Sequence, residues 1–111
     1  MNRLPMSAAA SALLRALAAR SRAPRDRILL SDVRSVDWQS LTFTGERHEI
    51  ELRVPGPNSR EVVDRMCDRL GDAEFSIPGV IVADIGVAEG PALALDGSTT
   101  VKFEALTIAA D

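Results

Sequence analysis

The sequence predicts an α+β fold: a two-layer sandwich of one four-stranded antiparallel sheet and two helices, in the order αββαββ. Three observations lead there. Residues 47–54 alternate cleanly, with His48, Ile50, Leu52 and Val54 on one side and Arg47, Glu49, Glu51 and Arg53 on the other, the pattern of a strand with one wet face. Val62, Val63, Met66 and Leu70 recur at helical spacing shortly after the Pro55-Gly56-Pro57 break. Two further apolar runs, 80–88 and 100–109, flank an Asp96-Gly97 turn signal.

A chain of 111 residues is one domain with one modest core. It divides into a basic amphipathic helix with its linker, 1–27, and a ββαββ body, 28–111. An apolar content of 46% with 26% charged residues is that of an ordinary globular protein. Tyr is absent, and Trp38, Phe43, Phe75 and Phe103 are the only aromatics, so the core must rest on aliphatic side chains.

The first helix is capped by Ser7 or Ser11 and runs to about Arg20, with Ala10, Leu13, Leu14, Leu17 and Ala18 on one face. It is over by Ala23, because the residue before Pro24 resists helix. A linker, 21–27, and a short extended piece, Ile28 to Leu30, follow. The first strand is expected from Ser35 to Thr44, with a bulge near Gln39-Ser40 reconciling the parity of Val36 and Trp38 with that of Leu41 and Phe43. Gly45-Glu46 is the expected turn into the strand 47–54. Asn58 and Glu61 have the spacing of a capping box, and Gly71 is the expected C-terminal stop of the second helix.

The third strand, 80–88, is nearly continuous apolar, with Ile81, Ala83, Ile85 and Val87 on one face and Val80, Val82 and Ala88 on the other. Glu89-Gly90-Pro91 ends it. The last strand, 100–109, sets Val101, Phe103 and Ala105 against Lys102 and Glu104, with Leu106 and Ile108 sharing the parity of the charged pair. The second hairpin is therefore apolar on both faces, which implies that a partner surface covers one of them. The whole order is a circular permutation of the βαββαβ ferredoxin-like plait. It predicts the strand order third, fourth, second, first. The competing arrangement is a ββαββ sheet whose first helix stays off the body and swaps to a neighbour.

Charge is divided unevenly. Residues 1–34 carry seven Arg and two Asp, whereas residues 35–111 carry six basic and fourteen acidic groups, within a total of −3. A basic arm on an acidic body binds an anionic partner or folds back on its own kind. Arg15, Arg20, Arg22, Arg25 and Arg27 are the candidates for an anionic partner. Self-association is favoured over nucleic acid, because the arm has no aromatic residue and no Lys, and because the sheet face carrying Glu49, Glu51 and Glu104 repels phosphate. No apolar run approaches the roughly 20 residues of a membrane span. The start, Arg-containing and free of acid until Asp26, reads as a bacterial N-terminal helix in a GC-rich coding context, with an organelle-targeting segment as the alternative. Cys67 is alone, so no intramolecular disulfide forms, and a cytoplasmic location is expected.

Few groups offer chemistry. His48, the only histidine, has the unperturbed pKa of a general base but lies on the core parity of its strand and lacks a local nucleophile. Asp84 interrupts an apolar strand, and a buried carboxylate needs a partner. It reads as a charge on a partly wet face, as the partner of an Arg across the sheet or a subunit interface, or as a ligand-binding or acid/base group. Cys67 flanks the apolar stripe near the end of its helix, beside Asp64 and Asp68, and reads as a small buried hydrophobe. No metal-ligand spacing, P-loop or dinucleotide fingerprint is present, so no metal or cofactor is expected. The leading expectation is a homo-oligomeric interaction module without an evident catalytic site. Its expected contacts are Val80, Val82, Leu106 and Ile108, with the Leu13, Leu14 and Leu17 stripe as another cover. A protein partner is also compatible. The alternative is a small enzyme or ligand carrier using His48 and Asp84 in one pocket. The third is a nucleic-acid accessory protein using the Arg arm.

Overall fold

Ser7 opens the first helix by accepting a hydrogen bond from the Ala10 amide at 3.1 Å, which satisfies one of the free donors of the first turn. The computed structural model describes residues 6–110. The first five residues of the basic N-terminal segment and Asp111, the end of the ββαββ body, lie outside the described residues. Helix α1 spans Ala8–Arg20, and Leu13 and Leu17 on its inner face are fully buried. Burying two such side chains contributes about 1.5–3 kcal/mol each. The helix therefore packs on the chain's own sheet, and the arrangement in which it stands off the body is not the one observed. Polar contacts fix the same junction. Arg20 donates to the carbonyl oxygens of Met66 and Asp68 on the second helix, and Arg65 donates in return to the Ser21 carbonyl at 2.6 Å.

Strand β1 covers Leu29–Gln39 and β2 covers Thr44–Val54. The first strand thus begins earlier and ends earlier than its composition suggests. The reversal lies on Ser40–Phe43, where the Ser40 amide donates to the Phe43 carbonyl at 2.8 Å and the Ser40 hydroxyl accepts from the Phe43 amide at 3.1 Å. Leu41 and Phe43 belong to this turn, so no bulge is needed at Gln39-Ser40. The bulge of β1 lies instead between Leu30 and Asp32. Gly45 and Glu46 are inside β2, not in the turn.

Helix α2 spans Ser59–Cys67. Asn58 precedes it with φ of 60° and makes no side-chain capping bond, so the expected capping box does not form. The neighbouring Ser59 hydroxyl does the anchoring: it donates to the Gly97 carbonyl at 2.6 Å and lies 2.7 Å from the Thr99 hydroxyl, tying the helix start to the second hairpin. The helix stops four residues before Gly71. Arg69 takes the left-handed conformation, with φ of 52°, before a short 3-10 turn at Leu70–Asp72.

Strand β3 covers Val80–Leu93 and β4 covers Thr99–Ala109. Glu89-Gly90-Pro91 does not end β3; it is absorbed as register shifts within it. The hairpin turn is pinned by Asp96, whose carboxylate accepts from the Ser98 hydroxyl and amide and pairs with Arg53 at 2.9 Å, holding its pKa down to about 2. The sheet is antiparallel throughout, in the order β1-β2-β4-β3, as the sequence predicts read from either edge. Helix α2 lies across β2, β4 and β3, with α1 beside it over β2. The core beneath them is built on Ile50, Leu52, Val54, Val62, Met66, Val101 and Phe103.

One shift in β3 changes the reading of the second hairpin. The register slips between Val82 and Asp84, so the side-chain parity reverses there. Val80 and Val82 turn to the helix side, with Ile85 and Val87 opposite Ala105 and Phe103. Ile81 and Asp84 turn to the other face, opposite Ile108 and Leu106. The apolar residues of β3 mostly serve one core, and only the end near Ile81 stays apolar on both sides.

Candidate functional site

Both helices lie on one side of the sheet, so no helix among the described residues covers its other face. The strand registers place its side chains in rows running across β1, β2, β4 and β3. The first row is Trp38, Gly45, Ile108 and Ile81. Next come Val36, Arg47, Leu106 and Asp84, then Arg34, Glu49, Glu104 and Gly86, then Asp32, Glu51, Lys102 and Glu89. One end of the face is therefore apolar and the remainder is charged. Val36 is 53% exposed and Ile81 58%, and the adjoining turn exposes Leu41 and Phe43 as well. Such side chains scattered singly mean little, but contiguous ones mark an interaction surface.

The central rows form a depression with a volume of 340 Å³, bordered by Arg34, Arg47, Glu49, Asp84, Glu104 and Leu106. Glu49 and Glu104 stand directly opposite each other on neighbouring strands, a like-charge pairing that costs stability. Among the described residues, none of Arg34, Arg47, Glu49, Asp84 and Glu104 forms an ion pair. These five charges are thus assembled without an ion-pair partner among the described residues, whereas Lys102 and Glu89 in the next row pair with each other at 3.7 Å.

His48 lies beneath that depression with its side chain on the helix side. Its Nδ1 is 2.7 Å from the Ser35 hydroxyl and its Nε2 is 2.9 Å from the Thr107 hydroxyl, so one ring bridges β1, β2 and β4. Burial pushes the imidazole below its ordinary pKa, a pull that the Glu46 carboxylate partly offsets. The ring is neutral at pH 7, donating through one nitrogen and accepting at the other. The Ser35–His48 spacing is that of a nucleophile and its base. However, the ring is 1% exposed, and its second nitrogen meets a hydroxyl instead of the carboxylate that would orient a catalytic imidazole. Its geometry is that of a strand-pinning bridge.

The sequence-derived candidates separate in space. Asp84 is exposed on the open face, which removes the cost of burying it. It is two strands away from His48; both residues border the same depression, but the His48 ring turns to the opposite face of the sheet, where it bonds the Ser35 and Thr107 hydroxyls. Leu106 and Ile108 lie on the open face, whereas Val80 and Val82 pack against the chain's own core. Leu13 and Leu17 are fully buried and Leu14 partly so, under the same sheet. Of the Arg candidates, Arg20 holds α2, and Arg27 donates to the carbonyls of Pro55 and Pro57 at 2.7 and 2.6 Å. Arg15 bonds Ser11 within its own helix, and Arg22 and Arg25 are exposed. Two of the five candidates, Arg20 and Arg27, are thus engaged in holding the fold together. Burial, reinforced by Asp64 and opposed by Arg20 and Arg60, pushes the Cys67 thiol up, away from reactivity.

No group of three or more potential metal ligands occurs among the described residues, and no helix among them is long and apolar enough to cross a membrane. Sequence reasoning missed Arg34, Val36, Trp38 and Ile81 as members of one surface, because that surface depends on the true start of β1 and on the slip in β3. The signal for Arg47 and Glu49 was present in the strict alternation of β2. In comparisons with protein-family models, curated proteins and solved structures, the chain matches none.

Proposed function

We propose that the chain is a homo-oligomeric interaction module whose working surface is the open sheet face. The observation that carries this reading is the contiguity of Trp38, Val36, Leu106, Ile108 and Ile81 with a group of charges that no ion pair satisfies among the described residues. Apolar surface of this kind gains free energy when water leaves it, and the surrounding charges set which surface fits. Four strands at roughly 4.8 Å spacing and strands of 11 residues at roughly 3.3 Å give a face of about 19 by 36 Å. Its flat area of about 700 Å² is close to the roughly 800 Å² per partner of a standard stable interface.

Native mass spectrometry with sedimentation at about 100 µM tests the reading, since association depends on concentration. An assembly at a whole multiple of 11.9 kDa is expected. A monomer at that concentration overturns it. A monomer carrying a reproducible added mass would transfer the function to a small ligand held in the central depression.

A further inference from the structure

We infer that a second copy of the chain sits face to face on the open sheet, related by a two-fold axis along the mean strand direction. In this arrangement β1 and β2 of each copy lie over β3 and β4 of the other. The inference rests on the oligomer reading above and adds the identity of the occupant and its orientation.

A surface that binds itself in a closed dimer must match its own image after a half turn. The central rows are polarised across the sheet. Arg34 and Arg47 lie on β1 and β2 and outweigh the single Glu49 there, while Asp84 and Glu104 lie on β3 and β4, which carry no basic residue in those rows. A half turn about the strand direction exchanges the two sides and keeps every row on its own image. The basic side of one copy then covers the acidic side of the other, twice. Arg47 meets Leu106 of the second copy, flanked by its Asp84 and Glu104.

The same rotation handles the apolar end. Trp38 falls over Ile81 of the second copy, and Ile108 falls over Gly45, where no side chain obstructs it. Arg34 likewise falls over Gly86. Three mismatches remain: Glu49 against Glu104 of the second copy, which Arg34 and Arg47 flank from both molecules; Asp32 against its Glu89, beside the Glu51 and Lys102 that face each other; and Val36 over its Asp84, whose carboxylate lies next to the facing Arg47.

The competing in-plane axis, across the strands, turns the face end for end. Centred on the two charged rows, it lays Trp38, Ile108 and Ile81 over Asp32, Lys102 and Glu89 of the second copy. Burying Asp32 against Trp38, and the Lys102–Glu89 pair against Ile108 and Ile81, removes water from all three charges and is costly. Sheets packed face to face keep their strands within about 30° of each other, which the strand-parallel axis accommodates.

Two charge-reversed variants test the geometry: Arg34→Glu/Arg47→Glu and Asp84→Arg/Glu104→Arg. Both alter exposed side chains, and circular dichroism verifies that each folds. Each variant alone should dissociate at least about tenfold more readily than the wild type, because like charges then face each other. An equimolar mixture should recover the dimer as a heterodimer, visible by native mass spectrometry. A wild-type dimer whose variants stay dimeric, or whose mixed variants stay monomeric, overturns the orientation while leaving the oligomer reading standing. A monomeric wild type overturns both.

A Trp38→Cys/Ile81→Cys variant in a Cys67→Ser background supplies an independent readout. The two positions lie on opposite edge strands, about three strand spacings or 14 Å apart, too far for a disulfide within one chain. Sheets packed face to face lie about 10 Å apart, also too far for a disulfide, so a short bis-maleimide matched to that spacing should yield the covalent dimer. Failure to cross-link while the reduced protein is dimeric overturns the orientation.

Discussion

A side chain at Gly45 would run into the backbone carbonyl of Thr107 on the adjacent strand: a Cβ built there lies 3.0 Å from the carbonyl carbon and nearer still to its oxygen. Gly45 is therefore required by the approach of β4 to β2, not by a turn. The obstacle is main chain in the middle of a sheet, so it cannot rotate away. Gly45→Ala should destabilise the protein by about 1–3 kcal/mol or more, the range of overpacked cores. In a domain of this size that lowers the melting temperature by roughly 4–8 °C per kcal/mol. Gly86 is the control: an added Cβ there meets nothing within 4 Å, and Gly86→Ala should change stability by less than about 1 kcal/mol. Thermal melts of the two variants side by side would settle the contrast, and equal melting temperatures would contradict it.

The His48 bridge makes stability depend on pH in a defined direction. Burial lowers the folded-state pKa below the ordinary 6.5. Between those two values the unfolded chain binds a proton that the folded chain refuses, so stability rises with pH there. The contribution is complete above about pH 6.5 and is lost on acidification towards the folded-state value. His48→Leu removes this dependence. It also leaves the Thr107 hydroxyl, buried between strands, without its partner, at about 1–3 kcal/mol near pH 7.5. Denaturant melts at pH 7.5 and 5.5 would show a wild type that weakens with acid and a variant, weaker at pH 7.5, whose slope is flatter. A wild type whose slope matches that of the variant would mean that the histidine is not buried neutral.

Helix α1 is part of the core rather than an arm. Leu17 is fully buried among residues of both layers, and Leu17→Ala should cost about 2–5 kcal/mol. Arg20 spans from α1 to the last turn of α2, and Arg20→Met, which keeps most of the stem, should cost about 1–2 kcal/mol through the lost charged hydrogen bonds. A free basic arm would show neither loss. Urea denaturation of the two variants measures both, and wild-type midpoints would return α1 to the solvent.

The parts of the fold that were legible in sequence are those in which one periodicity ruled. His48, Ile50, Leu52 and Val54 alternate without interruption, and they line the core as their spacing demands. Val62, Val63 and Met66 sit on one helical face, and they are buried together. The failures have a common physical cause, which is a single inserted residue or a backbone choice that composition does not encode. The slip between Val82 and Asp84 exchanged the faces of β3, and a slip of one residue inverts every later side chain. The candidate surface inherited that error. Val80 and Val82 carry the same apolar character as Ile81, so only the pairing with β4 could sort them. Arg47 and Glu49 were readable as outward-facing, and the expected strand order already put β4 between them and β3; what was not readable is the slip in β3 that sets Asp84 on their face.

The end of α2 offers the sharpest case of composition misleading, and it can be measured. Gly71 looks like the helix stop, yet the left-handed residue is Arg69, with φ of 52° and an exposed side chain. An L-residue in that conformation costs roughly 1–2 kcal/mol, part of which glycine's extra unfolded-state entropy takes back. Its ion pair with Asp72, at 3.8 Å and fully on the surface, returns little. Arg69→Gly should therefore stabilise the protein by up to about 1 kcal/mol. Gly71 has no left-handed φ and no neighbour within 4 Å of an added Cβ, so Gly71→Ala should also be neutral or stabilising, by about 0.4–1 kcal/mol. A true C-terminal glycine cap would behave oppositely: Gly71→Ala would lose stability and Arg69→Gly would lose it too, by placing glycine within a helix turn. Chemical denaturation of the two single variants distinguishes the alternatives by sign alone.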